Sequence, residues 1–299
     1  MKIYDCFQFF DEEMLLDLRL NIMDKYVDKF VITEATYMHN GNPKELIFDI
    51  NKFSKFKDKI IYIVVDKQPP DLFKISEKDN NKQDTRGQKL ILNGYKRDNY
   101  QRQMAQQILD KIEPEDWIII NDIDEIPNLK HFDLRKIKNK LVIFKQQIFF
   151  YKFNLLYSSN YWFGSRACKK KNFISPQWLR DLKSKKYPLW RLDITFSKKK
   201  YNDIFYIDDG GWHFTNIKSP EDIEKKLLNY THHDEFEKSG LNLEDLRNKI
   251  KEKKALYDHG ADQKQYKWAS ETTLDKIGLS AMPDYLRENY KKYVNWLEV

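Results

Sequence analysis

Two aspartates have a spacing that suits metal chemistry, Asp122 and Asp124. They follow the apolar run 117–120, which predicts a short buried strand. Residues i and i+2 of a strand point to the same side, so both carboxylates face one direction. Oxygen ligands of this kind suit Mg²⁺ or Mn²⁺. Such an ion can bridge a nucleotide diphosphate and neutralise it as a leaving group.

The alternative for this pair is an ordinary acidic loop, because Asp-x-Asp also occurs without a metal. The buried strand before the pair favours the metal site. Glu125 adds a third carboxylate, and Pro127 ends the segment.

A second motif is Gly210-Gly211-Trp212-His213. Two glycines allow a tight bend or a close approach of the backbone to a ligand. His213 can offer a neutral imidazole nitrogen to the same metal. A turn followed by a core strand, with the histidine hydrogen-bonded inside the protein, explains the segment equally well.

Three further groups have both a functional and a structural interpretation. Arg97 lies just before a predicted helix over 99–112 and Arg102 lies within it. Either arginine could hold phosphate or orient the strand-end acids, or both could belong to a solvated helix start. Aromatic residues at 149–151, 157 and 161–162 could stack on sugars or belong to the core. The run 232–235, His-His-Asp-Glu, resembles a metal cluster, but adjacent helical residues point apart, so we expect it at the surface.

The first half of the chain has the pattern needed to position these groups. Strands are predicted at 3–10, 30–33, 60–65 and 117–120, with helices at 12–26 and 99–112. This alternation indicates βαβ units and a mostly parallel sheet flanked by helices. The run 60–65 is typical of a strand buried on both faces.

Carboxylates follow three of these strands, at Glu34, Asp66 and Asp122. Ligands of open α/β sheets bind at the carboxyl ends of the strands, so we expect the three acids at one edge. The polar segment 71–87 is expected to be a mobile loop that could close over a ligand.

The second half of the chain is less regular. We expect antiparallel strands within 141–156, a strand pair within 201–212, and helices at 221–230, 243–254 and 284–297. We predict one domain, with a nucleotide-binding half at 1–127, an acceptor-side half at 128–218 and a helical extension at 219–299.

Composition restricts the class of protein. The 299 residues are 41% hydrophobic and 15% aromatic, which excludes a disordered chain. The net charge of +7 allows a polyanionic partner but demands none. Two cysteines form neither a disulfide framework nor a zinc motif, which favours a reducing compartment. No signal peptide or long apolar run is evident, so we expect a soluble, cytoplasmic chain.

The chain resembles glycosyltransferase family 17 over nearly its whole length. The matching segments are YDCF at 4–7, DLRL at 17–20, VDKFVITE at 27–34, GNPK at 41–44, IYIVVD at 61–66, DIDEIP at 122–127, GGWH at 210–213, PDYL at 283–286 and NY at 289–290. The resemblance implies a GT-A-type fold and an inverting N-acetylglucosaminyltransferase with UDP-GlcNAc as donor. Another UDP-sugar remains open as donor.

The resemblance also implies roles for individual residues. Asp122 and Asp124 would bind metal and diphosphate, with His213 as third ligand of Mn²⁺ or Mg²⁺. Glu34, Lys44, Asp66 and Arg102 would bind the donor. Glu125 and Asp209 are the candidates for the base, although Asp209 lies outside the family pattern.

We expect the acceptor to be a glycan, with a lipid-linked sugar or a polysaccharide also open, and we expect no nucleic acid as a partner. Two other functions remain as alternatives, a non-catalytic carbohydrate-binding protein and a basic nucleic-acid-binding protein. The second has little support, because the lysine runs are scattered and no nucleic-acid-binding signature is present.

Overall fold

A computed structural model of the protein describes residues 1–79, 84–188, 190–194, 197–258, 268 and 270–298. Its strands are β1 Ile3–Phe9, β2 Lys29–Ala35, β3 Ile60–Val65, β4 Trp117–Ile120, β5 Glu125–Pro127, β6 Leu141–Phe144, β7 Gln146–Phe150, β8 Leu155–Trp162, β9 Arg166–Lys169, β10 Ile204–Ile207, β11 Gly211–Thr215 and β12 Asp275–Lys276. Its α-helices are α1 Glu13–Met23, α2 Thr85–Gln103, α3 Gln106–Leu109, α4 Pro176–Asp181, α5 Pro220–Asn229, α6 His233–Ser239, α7 Leu243–Lys251 and α8 Asp284–Glu288. Short 3₁₀ helices occupy Ile50–Phe56, Leu134–Lys136, Lys170–Asn172, Leu192–Ile194, Leu279–Ala281 and Tyr290–Trp296.

The larger sheet has seven strands in the order β10-β6-β9-β4-β1-β2-β3. β1 pairs in parallel with β2 and β4, β2 pairs in parallel with β3, and β6 pairs in parallel with β10. β9 runs antiparallel to both β4 and β6. The α/β class is confirmed, but the prediction of a mostly parallel sheet is wrong, because the fold has mixed sheets. Parallel neighbours need a long crossover connection, usually a helix. The chain between β6 and β9 contains no helix, and β9 runs antiparallel to β6.

A second sheet has five strands in the order β12-β8-β7-β11-β5. β11 is parallel to β7 and antiparallel to β5, and its register places His213 opposite Glu125. The antiparallel strands expected within 141–156 are confirmed for β7 and β8. The second sheet therefore brings the Gly-Gly-Trp-His motif beside the segment that follows β4.

The expectation of a strand pair within 201–212 is wrong, because β10 and β11 do not pair with each other. β10 belongs to the seven-stranded sheet and β11 to the five-stranded sheet. Gly211, the first residue of β11, has a φ of +115°, and a Cβ there would lie 2.2 Å from the Ile126 carbonyl oxygen. Only glycine fits that conformation and spacing, so the motif's second glycine turns the chain between sheets.

Both faces of the larger sheet are covered. Along β1, Ile3, Phe7 and Phe9 pack into one apolar core, and Tyr4 and Cys6 pack into another on the opposite face. This alternation follows from the two-residue period of a strand. α1 contributes Leu15, Leu18 and Ile22 to the first of these cores, as its helical spacing predicts.

Several boundaries differ from the sequence expectation. α2 begins at Thr85, well before the predicted 99, and its early buried positions are Gly87, Asn93 and Gly94. These residues carry no apolar stripe for periodicity to detect. Of the expected loop at 71–87, residues 80–83 lie outside the described residues and the last residues belong to α2. β3 is an edge strand with Val64 exposed, so the expectation of burial on both faces is wrong.

The C-terminal helices pack back onto the rest of the chain. α8 and the 3₁₀ helix Tyr290–Trp296 replace the single helix expected at 284–297. Leu286 and Tyr293 join the core that contains α1, and the Tyr293 hydroxyl donates to Asp17 at 3.0 Å. Across the described part of the chain, none of the helices combines the length and apolar composition needed to cross a bilayer. The division into three segments stays a prediction.

Candidate active site

A cavity of about 430 Å³ lies at the carboxyl ends of β1, β2 and β4. Its lining includes both aspartates of the Asp-x-Asp motif, together with Lys44 and Arg102. The remaining lining residues come mainly from the end of β1, from α2 and from the end of α5: Gln8, Phe9, Phe10, Glu12, Ala35, Tyr37, His39, Tyr95, Asp98, Gln101, Ile123, Trp162, Lys226, Asn229, Tyr230, Thr231 and His232. Its position is the one at which open α/β sheets bind ligands.

Arg19 fixes the backbone of the Asp-x-Asp segment from beneath. Its guanidinium is fully buried and pairs with Asp5 through two hydrogen bonds of 2.7 and 2.9 Å. It also donates to the carbonyl oxygens of Asp122 and Ile123 at 3.2 Å and of Glu125 at 2.8 Å. Because several partners share one buried cation, the loop that presents the aspartates is held in a single conformation.

Asp122 is bound by two arginines. Arg102 of α2 donates to one carboxylate oxygen at 3.1 Å, and Arg180 of α4 donates to the other at 2.6 Å. Burial alone would raise the pKa of Asp122, but the charges of Arg180 and Arg102 outweigh it and hold the pKa well below its ordinary value. Asp122 is therefore an anion whose charge is compensated within the protein.

Asp124 has the opposite electrostatic environment. Its side chain is 13% exposed, with His213 Nε2 at 3.8 Å and Lys226 Nζ at 3.9 Å from one carboxylate oxygen. Burial raises the pKa of Asp124, and the charges of Glu125 and Asp122 add to the rise, against the opposing effects of His213 and Lys226. The negative charge at Asp124 is thus under-compensated, although both aspartates line one cavity.

Glu125 is enclosed rather than open to the cavity. Its carboxylate accepts two hydrogen bonds of 2.7 Å from Arg180, one from Trp162 Nε1 and one of 3.0 Å from the Asp122 amide. Gly164 makes room for this arrangement, since a Cβ there would lie 2.1 Å from Glu125 Oε1. The geometry gives Glu125 a supporting position behind Asp122.

His213 lies on β11 beside the cavity. Its ring stacks on that of Trp162, with the ring centroids 4.9 Å apart, and Trp162 lines the cavity. The structure therefore brings the three predicted metal ligands, Asp122, Asp124 and His213, to one place.

The other residues predicted to bind the sugar donor do not all lie at the cavity. Lys44 lines the cavity and bonds to Glu34. Glu34 is fully buried and also accepts from the Tyr62 hydroxyl at 2.7 Å, so its carboxylate anchors the segment that carries Lys44. Asp66 is exposed after the edge strand β3 and is not among the lining residues.

Asp209 lies at a second cavity. This cavity has a volume of about 670 Å³ and is also lined by Trp212, Lys130 and Tyr285. Asp209 accepts from Asn128 Nδ2 at 2.9 Å. The two candidates for the base thus occupy different surroundings, and neither lines the cavity that contains Asp124.

Several site residues escaped the sequence analysis. Arg19 left a signal, because it occupies the apolar stripe of α1 four residues after Leu15, where a charge needs a buried partner. Arg180 and Lys226 left none, since only tertiary packing brings them to the aspartates. Trp162 was among the aromatic residues with two interpretations, and it lines the cavity. The run 232–235 was expected at the surface, yet His232 lines the cavity and His233 is buried.

The comparison with family models decides the family. A model described as glycosyltransferase family 17 matches residues 1–298. The chain belongs to glycosyltransferase family 17. A comparison with curated proteins finds no match. A family 17 glycosyltransferase needs a sugar donor and an acceptor, and the cavity at the Asp-x-Asp motif is the candidate place for their reaction.

The residues of this site fit a divalent ion in one specific way. Within the described ranges, no three His, Cys, Asp or Glu side chains are arranged to hold a metal by themselves. Mg²⁺ usually takes one or two carboxylates and completes its shell with water and substrate phosphates. The under-compensated Asp124, with His213 beside it, suits such a partial set, whereas both oxygens of Asp122 already bind arginine.

Proposed function

We propose that this family 17 glycosyltransferase transfers GlcNAc from UDP-GlcNAc to a hydroxyl of a glycan acceptor, with inversion at the anomeric carbon. Mn²⁺ or Mg²⁺ would be held by Asp124 and His213. Asp122 would keep the loop that carries both aspartates in position. The observation that carries the proposal is the shared cavity of the Asp-x-Asp carboxylates and the cations Lys44, Arg102 and Lys226.

The charges of this cavity suit a diphosphate leaving group. Glycosyl transfer places developing negative charge on the diphosphate as its bond to the sugar breaks. Fixed cations stabilise such charge most effectively where water is excluded. The carboxylate of Asp124 keeps the pKa of the partly buried Lys226 above its ordinary value despite the opposing effect of desolvation, so Lys226 is a stable cation.

A divalent ion would add to this stabilisation by acting as a Lewis acid on the diphosphate when bound. The residues of the chain have separate tasks. Asp124 and His213 hold the ion, and Arg102 and Arg180 fix the Asp122 carboxylate. The rings of Phe9, Phe10 and Tyr37 in the lining supply apolar surface for the donor.

The test is nucleotide release with a panel of donors and acceptors. UDP-GlcNAc, UDP-glucose, UDP-galactose and GDP-mannose are each incubated with p-nitrophenyl glycosides and Mn²⁺. We expect release of UDP and a transferred sugar with UDP-GlcNAc, and loss of at least about 10²-fold in kcat/KM for Asp124→Asn, as for removal of a strong electrostatic contact.

Asp58→Asn is the matched control for that substitution, because Asp58 is exposed. It should retain wild-type activity. Equal activity of Asp124→Asn and the wild type would overturn the assignment of the site, and transfer from UDP-galactose alone would overturn the choice of donor.

A further inference from the structure

Three side chains at the cavity form a hydrogen-bonded chain that the site described above does not use. The Tyr95 hydroxyl lies 2.8 Å from His232 Nε2, and His232 Nδ1 lies 2.9 Å from Glu235 Oε1. Tyr95 and His232 line the cavity that contains Asp122 and Asp124. Tyr95 belongs to α2, His232 precedes α6 and Glu235 lies in its first turn, so the chain joins two walls of the site.

The tautomer of a neutral His232 ring follows from its partners. An ionised carboxylate only accepts, so Nδ1 of His232 carries the proton that is donated to Glu235. Nε2 of the neutral ring is then an acceptor, and the Tyr95 hydroxyl donates to it. This orientation, with a carboxylate behind an imidazole and a hydroxyl in front of it, is the arrangement that prepares a histidine to take up a proton.

We propose that His232, oriented by Glu235 and reached through the Tyr95 hydroxyl, is the general base that activates the acceptor. This inference rests on the proposed function, because an inverting transfer requires removal of a proton from the acceptor hydroxyl. The imidazole side chain is 17% exposed, so it is shielded from bulk water yet open to the cavity.

The step balances as follows. The acceptor hydroxyl oxygen forms a bond to the anomeric carbon of the sugar, and the bond from that carbon to the diphosphate oxygen breaks. The electron pair of the broken bond leaves with the diphosphate. The acceptor proton passes to the Tyr95 oxygen as the Tyr95 proton passes to His232 Nε2, which yields an imidazolium paired with Glu235.

Other acids and bases near the cavity have other tasks. Glu125 is enclosed by Arg180 and Trp162, and Glu12 accepts from the amides of Phe10 and Asp11. Asp98 pairs with Arg102 at 3.1 Å.

His39 is the other imidazole of the lining. Its Nδ1 lies 3.2 Å from the Thr231 hydroxyl, and Asp98, the carboxylate beside it at 3.9 Å, already binds Arg102. His39 therefore lacks the close carboxylate that orients His232.

The experiment separates donor binding from proton removal. His232→Gln, Tyr95→Phe and Glu235→Gln are compared with the wild type by titration calorimetry with UDP-GlcNAc and by steady-state transfer to the best p-nitrophenyl glycoside. His232→Gln should lower kcat by about 10²-fold or more, the usual contribution of a general base, with the donor Kd within twofold. His131→Gln is the control, because His131 lines the second cavity and should behave as the wild type.

Two further substitutions and a rescue test examine the assignment of His232 as the general base. Tyr95→Phe interrupts the proton path, so it should lower kcat about as much as His232→Gln, whereas Glu235→Gln should lower kcat by about tenfold without changing the donor Kd. Added imidazole should restore part of the activity of His232→Ala, which a purely structural role would not allow. If His232→Gln weakens donor binding, the kcat of Glu235→Gln and the imidazole rescue decide whether His232 is the general base.

The contradicting outcomes are distinct. A kcat of His232→Gln within threefold of the wild type overturns the base assignment and leaves the proposed function standing. A wild-type protein that neither binds UDP-GlcNAc nor releases UDP overturns the proposed function, and the inference falls with it.

Discussion

The two walls of the candidate site are built differently. The strand wall, at the ends of β1 and β4, rests on the buried pair of Arg19 and Asp5, whose side chains are both inaccessible to solvent. The helix wall, from Lys226 to His232, is joined to the opposite side by hydrogen bonds between partly exposed groups, such as Tyr95 with His232. A buried charge network has few alternative arrangements, whereas surface hydrogen bonds open at low cost.

This difference assigns different tasks to the two walls. The strand wall carries Asp124, the carboxylate proposed to hold the ion, which requires a fixed position. The helix wall carries His232, the group proposed to activate the acceptor, beside which a bulky glycan must enter and leave. Substitutions on each wall test whether the two walls differ in this way.

The largest effect is expected at Arg19. Arg19→Met should reduce the free energy of unfolding by about 3–5 kcal/mol, because it leaves the buried Asp5 without its partner. Urea unfolding measures this loss. Arg247→Met is the matched control, since the Arg247–Glu221 pair is about half exposed and screened by solvent, so its loss should be much smaller. Similar losses for both variants would contradict the account of the strand wall.

The two aspartates of the motif should affect stability in opposite directions. Asp122→Asn loses charged hydrogen bonds to two arginines, so the free energy of unfolding should fall by about 2 kcal/mol at pH 7. Asp124→Asn removes a charge that the folded state disfavours, so it should raise the free energy of unfolding at pH 7 while it weakens donor binding. Chemical unfolding of both variants makes the comparison.

The pH dependence of the free energy of unfolding is a second test of Asp122 and Asp124. The pKa of Asp122 is lower in the folded state, so its stabilisation is complete above about pH 4 and disappears as the pH falls below that. The pKa of Asp124 is higher in the folded state, so ionisation of Asp124 costs stability as the pH rises above about 4. The difference between wild type and Asp122→Asn should therefore shrink in acid. A constant difference between pH 2 and pH 7 would contradict the ion-pair account.

A smaller effect is expected at Gly164, behind the strand wall. Gly164→Ala places a methyl group against Glu125 and Trp162, which must shift. Overpacking of this kind costs about 1–3 kcal/mol. Gly240→Ala is a useful contrast, because a Cβ there meets no atom within 4 Å and only the positive φ of 73° opposes it. Thermal unfolding compares the two, and a larger loss at Gly240 would count against the packing argument.

The smallest effect is expected where the helix wall meets the loop after β2. The Asn40 amide donates to Asn229 Oδ1 at 2.8 Å and to the Leu228 carbonyl at 3.2 Å. Asn40→Ala should cost about 0.5–1.5 kcal/mol, the net contribution of such hydrogen bonds. If the helix wall is the adaptable one, the KM for the acceptor should change while the donor Kd stays constant.

The sequence predicts the fold well in the first half of the chain and poorly in the second half. Continuous apolar runs located β3 and β4 to the residue, and helical spacing located α1. In β4 and α1 local pattern and tertiary burial agree, whereas the edge strand β3 is less buried than its apolar run predicts. The sheets after residue 140 could not be predicted, since β6–β7 and β10–β11 each pass from one sheet to the other. That passage depends on contacts across the fold, such as the hydrogen bond from the Gly210 amide to the Lys145 carbonyl at 2.9 Å.

The site was predictable where it is local in sequence. The spacing of Asp122 and Asp124 after a buried strand marked the cavity, whereas Arg180 and His232 gave no pattern that separates them from surface residues. Long-range charge pairs such as Arg180 with Asp122 join segments 58 residues apart, and a single sequence does not record them.

The central claim is that the cavity at Asp122 and Asp124 binds a nucleotide sugar through a divalent ion. Calorimetric titration of UDP-GlcNAc with Mn²⁺, then with EDTA, tests it most directly. We predict binding with Mn²⁺ that weakens at least about tenfold, or about 1.4 kcal/mol, in EDTA and in Asp124→Asn. Binding that is equally tight in EDTA and in Asp124→Asn, or no binding under either condition, would contradict the claim.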